Sequence, residues 1–166
     1  MTQVRECRAN DVPQLEQEIP SPGLNRFHEA RFQRHQNGLS TFLIAVVGDT
    51  PVGSGEILWQ GCAAPEVDTR CPELSGLTVQ PARQSQGIGT AIIRAAEALV
   101  RRRGQHQLGL GVNDGNDRAA ALYRRLGYRD IDCRYLDRYP YLDEQGAPQL
   151  AADPCRFLVK TLADPM

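Results

Sequence analysis

The sequence has almost no lysine, no long run of hydrophobic residues and almost no net charge. Lys160 is the one lysine among its 19 basic residues, and the formal net charge is −1. Because nucleic-acid-binding domains usually carry a basic excess, we expect no nucleic-acid partner. No apolar stretch is long enough to cross a bilayer, and the N-terminus lacks the apolar segment of a signal peptide. We therefore expect a soluble, cytoplasmic protein without a membrane partner.

The five cysteines form neither a disulfide framework nor a metal-binding pattern. They are odd in number, and no two of them have the CxxC spacing that zinc sites and redox centres commonly use. We therefore expect reduced thiols and no metal. With 166 residues, 41% of them hydrophobic, the chain has the size of one self-sufficient domain, which we expect to span residues 1–166.

Hydrophobic periodicity and turn signals predict strands that alternate irregularly with helices. The predicted order is strand, helix, helix, three strands, helix, strand, helix and two strands. This order predicts an α/β (α+β) domain around a mixed, largely antiparallel sheet. The predicted strands are Val4–Arg8, Thr41–Val47, Pro51–Trp59, Glu73–Val79, Gln107–Val112, and two near Ile131–Tyr135 and Phe157–Leu162. The predicted helices begin near Asn10, Asn25, Thr90 and Asn116 and end near Ile19, His35, Arg103 and Leu126.

A glycine-containing turn links the strand Glu73–Val79 to the next helix. The turn ends in Gln-Gly-Ile-Gly at residues 86–89. A helix N-terminus presents amide groups without intrahelical partners and a dipole that favours anions, and glycines allow close approach of the backbone. The turn therefore fits a diphosphate, with Arg83 as an added charged contact. Two glycines also suit a turn that binds nothing, and the sequence has neither a P-loop lysine motif nor a Rossmann GxGxxG motif.

Two sequence blocks together resemble one protein family. The first is Gln84-x-x-Gly87-x-Gly89 after a Val79-x-Pro81 turn, and the second is Asn116-x-x-Ala119-x-x-Leu122-Tyr123-x-x-Leu126-Gly127-Tyr128. In this order they resemble the acetyl-CoA motifs of GNAT N-acetyltransferases. The resemblance covers Glu73–Tyr128 and implies a GNAT-like sheet of about six to seven strands flanked by about four helices. It also implies acetyl-CoA as co-substrate and an amine as acceptor.

The resemblance further implies where acetyl-CoA binds. It places the co-substrate between the strands Glu73–Val79 and Gln107–Val112, which splay apart, and Gly76, Gly109 and Gly111 are compatible with a bulge or a close ligand approach there. Asn116 is implied as a cofactor contact and is also a natural helix cap. The full set implied for the co-substrate is Leu77, Thr78 and Val79 for the pantetheine arm, Arg83, Gln84, Ser85, Gln86, Gly87, Ile88, Gly89 and Thr90 for the pyrophosphate, and Asn116, Ala119 and Tyr123 on the following helix.

Acetyl transfer to an amine needs a base, an oxyanion donor and an acid for the leaving thiolate. The resemblance places the Tyr123 hydroxyl near the sulfur as the acid, whereas the alternative is a helix tyrosine packed in the core. Glu73 and Glu56 lie in or beside strands expected to face the cleft and are candidate bases, although most strand carboxylates are solvated. The resemblance implies the backbone N–H of Val79 as the oxyanion donor.

The sequence does not identify the acceptor. The resemblance implies a pocket formed by Asn10–Gly38 and Asp137–Pro154. The second segment contains aromatic and acidic residues that suit a cationic amine, although a solvated hairpin loop is the more common explanation of such residues. These residues are Tyr139, Tyr141, Asp143 and Glu144. We expect a small-molecule amine, while a protein N-terminus or lysine stays open.

Two other functions compete with this interpretation. One is a non-catalytic acyl-CoA-binding sensor, which the presence of both Tyr123 and Asn116 disfavours. The other is nucleic-acid binding through Arg101–Arg103, but arginines at a helix end more often contact carbonyls and solvent. The resemblance also makes a homodimer an expectation.

Overall fold

The fold is a seven-stranded sheet with helices packed on it. The computed structural model describes residues 1–163. The strands are β1 (Thr2–Glu6), β2 (Ser40–Val47), β3 (Thr50–Leu58), β4 (Glu73–Val79), β5 (Gln107–Asn113), β6 (Arg129–Leu142) and β7 (Pro148–Thr161). The helices are α1 (Asp11–Glu18), α2 (Phe27–Gln36), α3 (Ile88–Arg102) and α4 (Asp117–Arg125), with a 3-10 turn at Pro81–Arg83. The elements follow one another as predicted, and the predicted fold class is confirmed.

The sheet divides between β4 and β5. Its strand order is β1-β2-β3-β4-β5-β7-β6, and every neighbouring pair is antiparallel except β4 and β5. These two strands are parallel and align at one residue pair only, Glu73 with Gly109. Beyond that pair they share no ladder, so β4 stays paired with β3 while its backbone groups on the β5 side have no strand partner.

Both faces of the sheet are covered, which explains why β2 is apolar from Phe42 to Val47. Phe42, Ile44 and Val46 point to a cluster with α1, whereas Leu43 and Ala45 point to the main core beneath α3. Successive side chains of a strand face opposite sides, so a strand buried on both sides has no polar face. The sequence Ser-Thr-Phe-Leu-Ile-Ala-Val-Val at β2 follows from this position.

Helix α3 lies unusually close to β3 because β3 contains two glycines. A Cβ atom at Gly53 would lie 3.0 Å from Cγ2 of Ile88, and one at Gly55 would lie 3.2 Å from Cγ2 of Ile92. Larger residues would push the first turns of α3 away from the sheet. This packing fixes the N-terminus of α3 beside the end of β4.

The last two strands are much longer than predicted. The sequence analysis placed them near Ile131–Tyr135 and Phe157–Leu162, with a connection over Asp137–Pro154, whereas the strands run for 14 residues each and only a short turn joins them. The prediction was wrong because most of Asp137–Pro154 extends the two strands, although this segment contains Pro140 and Pro154. Pro140 lies on the edge strand, and Pro154 lies beyond the last residue that pairs with β5, so neither removes a needed ladder bond.

This hairpin arm is fastened to the segment before α2 by Asn25. The buried Asn25 side chain accepts a hydrogen bond from the backbone of Leu142 at 2.7 Å and donates one to its carbonyl at 3.1 Å. The prediction that Asn25 opens α2 was wrong, since the helix begins at Phe27. Asn10 likewise makes no side-chain cap at α1; instead, Asp11 accepts from the backbone of Arg8 at 2.7 Å.

A buried charge cluster ties α3 to β7. The carboxylate of Glu97 is 1% exposed and accepts hydrogen bonds from the Tyr128 hydroxyl at 2.7 Å, from Nζ of Lys160 at 3.1 Å and from Arg94 at 3.1 Å. Burial alone would raise the pKa of Glu97, but these three donors outweigh it and hold the pKa below its ordinary value. The chain's one lysine therefore has a structural role.

We predict that Tyr128→Phe lowers the free energy of unfolding by about 1.5–3 kcal/mol at neutral pH, because it removes a hydrogen bond to a buried carboxylate. The lowered pKa of Glu97 means that its pairs stabilise the fold above the pKa of an unfolded glutamate and lose this effect as the pH falls through the folded value. The difference should therefore shrink in acid. Urea unfolding of Tyr128→Phe and of the control Tyr141→Phe measures it, and equal effects of both variants would contradict the prediction.

Candidate functional site

A cavity of about 570 Å³ lies where the C-terminal half of β4, the first turn of α3 and helix α4 meet. It contains most of the residues that the sequence analysis assigned to acetyl-CoA. Those lining it are Leu77, Val79, Gln84, Ser85, Gly87, Ile88, Gly89, Thr90, Asn116, Ala119 and Tyr123. Thr78, Arg83 and Gln86 do not line it, and the Thr78 hydroxyl donates instead to the carbonyl of Gly76 at 3.0 Å.

The loop before α3 contains two residues with a left-handed backbone conformation. Gly87 has φ +83°, which glycine adopts without penalty, but Ser85 also has φ +65°. A left-handed non-glycine residue costs free energy and persists where the surroundings require it. The side chain of Ser85 accepts a hydrogen bond from Arg118 of α4. The contact with Arg118 therefore joins the loop to α4 at one of its two left-handed residues.

The two helices that border the cavity begin differently. At α4, Oδ1 of Asn116 accepts a hydrogen bond from the backbone of Ala119 at 3.1 Å, so Asn116 is a helix cap that also faces the cavity. At α3, the N-cap is Gly87 and no side chain caps the helix. The first amides of α3 are thus left to an external acceptor, and the helix dipole favours an anionic one.

Tyr123 lies at the inner end of the same cavity. Its side chain is 7% exposed and packs edge-on against Tyr128 at 6.5 Å between ring centroids. Burial raises the pKa of Tyr123, so the phenol stays protonated at neutral pH. Its hydroxyl makes no hydrogen bond with any residue in 1–163, and it therefore combines the two alternatives of the sequence analysis: a core residue with a free donor at a cavity.

The sequence analysis missed four residues of the cavity wall. Helical spacing would have found Leu122, which lies three positions after Ala119 and shares its helix face, whereas the other three have no such spacing to Ala119 or Tyr123. Two of the four are cations, which suits an anionic ligand. The missed residues are Arg118, Ala121, Leu122 and Arg125.

A second cleft lies along the N-terminal half of β4 and consists of two adjoining cavities of about 630 and 590 Å³. Arg34, Glu56, Ser75, Gly76, Asp137 and Tyr139 line both cavities. Its walls come from α2 and from the hairpin arm of β6 and β7, the two regions that the sequence analysis expected to form the acceptor pocket. Tyr139 and Tyr141 line the cleft, while Asp143 organises the hairpin turn by accepting from the backbones of Gln145 and Ala147.

Glu73 is the buried carboxyl group of this cleft. It is 7% exposed, and burial, together with the nearby charges of Asp137 and Glu56, raises its pKa to about 8, although the thiol of Cys62 partly offsets the shift. No cation forms an ion pair with it among the described residues. A carboxyl group with a pKa near neutrality is suited to accept and release a proton at physiological pH.

Glu56, the second predicted base, has a structural partner. Its two carboxylate oxygens accept from Nε and Nη2 of Arg34 at 2.8 and 2.9 Å, and its side chain is 3% exposed. A carboxylate held in such a bidentate pair is committed to its arginine. Of the two candidates, Glu73 alone has no ion-pair partner among residues 1–163.

The three glycines singled out in the sequence have different roles. Gly76, with φ +65°, lies at the irregularity between β3 and β4, which is the predicted bulge. At Gly109 and Gly111, the close approach is made by protein side chains: a Cβ there would clash with the ring of Phe157 and with the hydroxyl of Tyr135. Gly111 thereby allows Tyr135 and Glu73 to lie side by side in the cleft.

The arginines at the end of α3 contact the protein itself. The guanidinium of Arg103 stacks on the Trp59 ring at 3.8 Å, and Nε of Arg101 donates to the carbonyl of Ala163 at 2.9 Å. These contacts fit the structural interpretation of the arginine run. Within residues 1–163, no helix is long and apolar enough to span a membrane, and no cluster of ligand-type side chains suits a metal ion.

Comparison with known proteins gives two partial sequence relatives. Over 72 residues the chain is 38% identical to a mycothiol acetyltransferase of Clavibacter sepedonicus. The aligned segment covers 42% of this chain and 24% of that protein. Over 58 residues it is 40% identical to a thialysine N-epsilon-acetyltransferase of Bos taurus, which covers 35% of this chain and 34% of that protein. The chain thus spans a quarter to a third of these relatives.

The fold has close counterparts among solved structures, and the sequence matches a family. The ribosomal-protein-S18-alanine N-acetyltransferase of Escherichia coli superposes with a TM-score of 0.68 over 100% of this chain and 97% of that one, at 17% identity, which shows a shared fold. Residues 7–128 match the acetyltransferase (GNAT) family. Since this match covers most of the sequence and both cavities border its elements, the chain belongs to the acetyltransferase (GNAT) family.

Proposed function

We propose that the protein transfers an acetyl group from acetyl-CoA directly to the primary amine of a small molecule while both are bound. The observation that carries this proposal is the position of two cavities along one strand. The cavity with Tyr123 borders the C-terminal half of β4, and the cleft with Glu73 borders its N-terminal half. A proton donor and a proton acceptor therefore flank the place where β4 and β5 diverge.

The first cavity fits the anionic and extended parts of acetyl-CoA. The uncapped N-terminus of α3 and the loop amides suit the pyrophosphate, and Arg118 and Arg125 add positive charge. The backbone of Leu77 to Val79, which has no partner in β5, suits the amide-containing pantetheine arm. Three predicted contacts do not line this cavity, and we propose that they reach acetyl-CoA only through backbone groups or flexible side chains. They are Thr78, Arg83 and Gln86.

The proposed chemistry needs three groups of this chain. Glu73 accepts a proton from the acceptor amine, whose nitrogen bonds to the thioester carbonyl carbon as the carbon–sulfur bond breaks. The backbone N–H of Val79 donates to the carbonyl oxygen as negative charge develops there. Tyr123 donates its proton to the leaving sulfur. Exchange with solvent then restores both side chains.

The second cleft supports a small acceptor. It is a confined groove beneath the hairpin arm, which Asn25 holds in place, and two relatives have the small molecules mycothiol and thialysine in their names. A protein N-terminus or lysine is the alternative acceptor. A non-catalytic sensor is disfavoured because Glu73 and Tyr123 both face the proposed reaction centre. A cytoplasmic location, a single domain and a homodimer also belong to this proposal.

Gly89→Glu should weaken acetyl-CoA binding about tenfold or more, because it places a carboxylate beside the proposed pyrophosphate site. A Cβ at Gly89 meets only ordinary contacts, at 3.8 Å from Val79 and 4.0 Å from Leu122, so the fold should tolerate the change. Gly89→Ala is the matched control and should bind within about threefold of the wild type. Calorimetric titration with acetyl-CoA and dephospho-CoA measures this. Undiminished binding by Gly89→Glu would place the pyrophosphate elsewhere.

Tyr123→Phe should lower kcat about 100-fold, because the leaving thiolate loses its proton donor. The affinity for acetyl-CoA should change little, since the ring and its contact with Tyr128 remain. Steady-state thiol release and calorimetry separate the two effects. A variant with full turnover would show that Tyr123 has a packing role only.

Glu73→Gln should remove a titration step from the pH profile of kcat/KM. In the wild type, activity should rise as Glu73 loses its proton near its pKa of about 8, whereas the glutamine variant should lack this step and be about 100-fold slower. Because the folded pKa is raised, Glu73 contributes stability below its unfolded pKa and loses it as the pH rises through about 8. The variant should therefore gain stability over the wild type in alkali. An unchanged pH profile would exclude Glu73 as the base.

A further inference from the structure

Arg31 of α2 faces the second cleft and has no assigned role. Its guanidinium lies directly against the backbone of Gly76: a Cβ added at Gly76 would be 2.8 Å from Nη2 of Arg31. The side chain lines the cavity that also contains Phe27, Tyr139 and Tyr141. Glycine at the bulge of β4 thus leaves room for a cation at the surface of the strand that separates the two sites.

Arg31 makes no hydrogen bond or ion pair with any residue in 1–163. The nearest carboxylates are committed elsewhere: both oxygens of Glu56 accept from Arg34 at 2.8 and 2.9 Å, and Glu16 accepts from the Ser21 hydroxyl at 2.8 Å. Burial lowers the pKa of Arg31, which shows that its charge is partly withdrawn from water. Arg31 is half-buried, and a partly desolvated charge without a hydrogen-bonded counter-ion carries a desolvation cost, so this position favours an anionic group from a ligand.

The part of the cleft that Glu73 lines contains several carboxyl groups and two arginines that have partners, Arg34 with Glu56 and Arg138 with Glu66. Glu73, Asp137 and Asp153 line the cavity beyond Gly76, and the Tyr139 hydroxyl donates to Asp153 at 3.0 Å. Glu73 and Gly76 are three residues apart on β4, which corresponds to roughly 10 Å of extended strand. The cleft therefore places the carboxyl group of Glu73 and the guanidinium of Arg31 in adjoining cavities, separated along β4 by the distance from Glu73 to Gly76.

We propose that the acceptor is an amine that also carries a carboxylate, and that Arg31 binds this carboxylate while the amine lies beside Glu73. This inference rests on the proposed function and specifies its substrate class as an amino acid in which a short chain separates the two groups. Phe27, Tyr139 and Tyr141 line the cavity that contains Arg31, Tyr139 also lines the cavity that contains Glu73, and these rings suit a methylene chain. Arg26 lines the same cavity but is exposed, where water screens its charge.

Matched pairs of acceptors test this substrate class. The series runs from glycine to ω-aminooctanoate, each compared with its neutral amide, and thiol release gives kcat/KM. The wild type should prefer an acid of intermediate length, such as ω-aminohexanoate, over its amide by about tenfold or more, because a charged hydrogen bond to arginine distinguishes them. Equal rates for acids and amides would overturn the proposal.

Substitution of Arg31 assigns the preference to this residue. Arg31→Met keeps the length and packing of the side chain, and the preference for the acid should fall to about one. Arg102→Met removes an exposed arginine at the far end of α3 and should keep the preference of the wild type. A preference that survives in Arg31→Met would overturn the assignment.

The outcomes separate this inference from the proposed function. Acetylation of amines without a preference for acids would refute the inference and leave the function standing. If no amine in the series is acetylated, the proposed function fails for these acceptors, and calorimetric binding of ω-aminohexanoate to the protein saturated with CoA decides the inference. Binding by the wild type that is at least about tenfold weaker in Arg31→Met would support it, and absence of binding by the wild type would overturn it.

Discussion

The divergence of β4 and β5 after a single aligned pair is the constraint on which the rest of the structure depends. Glu73 and Gly109 are in register, and the following residues of β4 have no partner in β5. Unpaired backbone groups within a fold require other partners. Because the interruption lies in the middle of the sheet, it opens toward α3 and α4 at one end of β4 and toward α2 and the hairpin arm at the other. Both candidate sites result from this one interruption.

The surrounding packing holds this opening in place. The glycines of β3 bring α3 close to the sheet, and the cluster around Glu97 joins α3 to β7 on the far side of the opening. Asn25 fastens the hairpin arm to the segment before α2. These contacts thus surround the cavities. Three side chains that line the cavities lack such a partner among residues 1–163: Glu73 and Arg31 form no ion pair, and the Tyr123 hydroxyl makes no hydrogen bond. Such groups cost stability, and proteins commonly retain them at functional sites.

Sequence reasoning succeeded where the signal was local. The strand β4, the turn before α3 and the amphipathic helices α3 and α4 each have their own pattern of apolar residues, glycines and caps. It failed where the outcome depended on tertiary neighbours. The length of β6 and β7 was missed because these strands are defined by pairing with each other, and no local pattern shows that pairing. Asn25 was mistaken for a cap because its hydrogen-bond partner, Leu142, is distant in sequence. The role proposed for Arg31 could not be predicted from the sequence. Its partial burial and the pairing of Glu56 with Arg34 depend on residues that are distant along the chain.

A crystal structure of the protein with CoA and ω-aminohexanoate would test the central claim most directly, because it locates the sulfur relative to the divergence of β4 and β5. The account predicts that the pantetheine arm lies along Leu77–Val79, with the sulfur between the hydroxyl of Tyr123 and the cleft that contains Glu73. It also predicts that the pyrophosphate lies at the first turn of α3. A pantetheine arm outside the space between β4 and β5, or a sulfur remote from both Tyr123 and Glu73, would contradict the account.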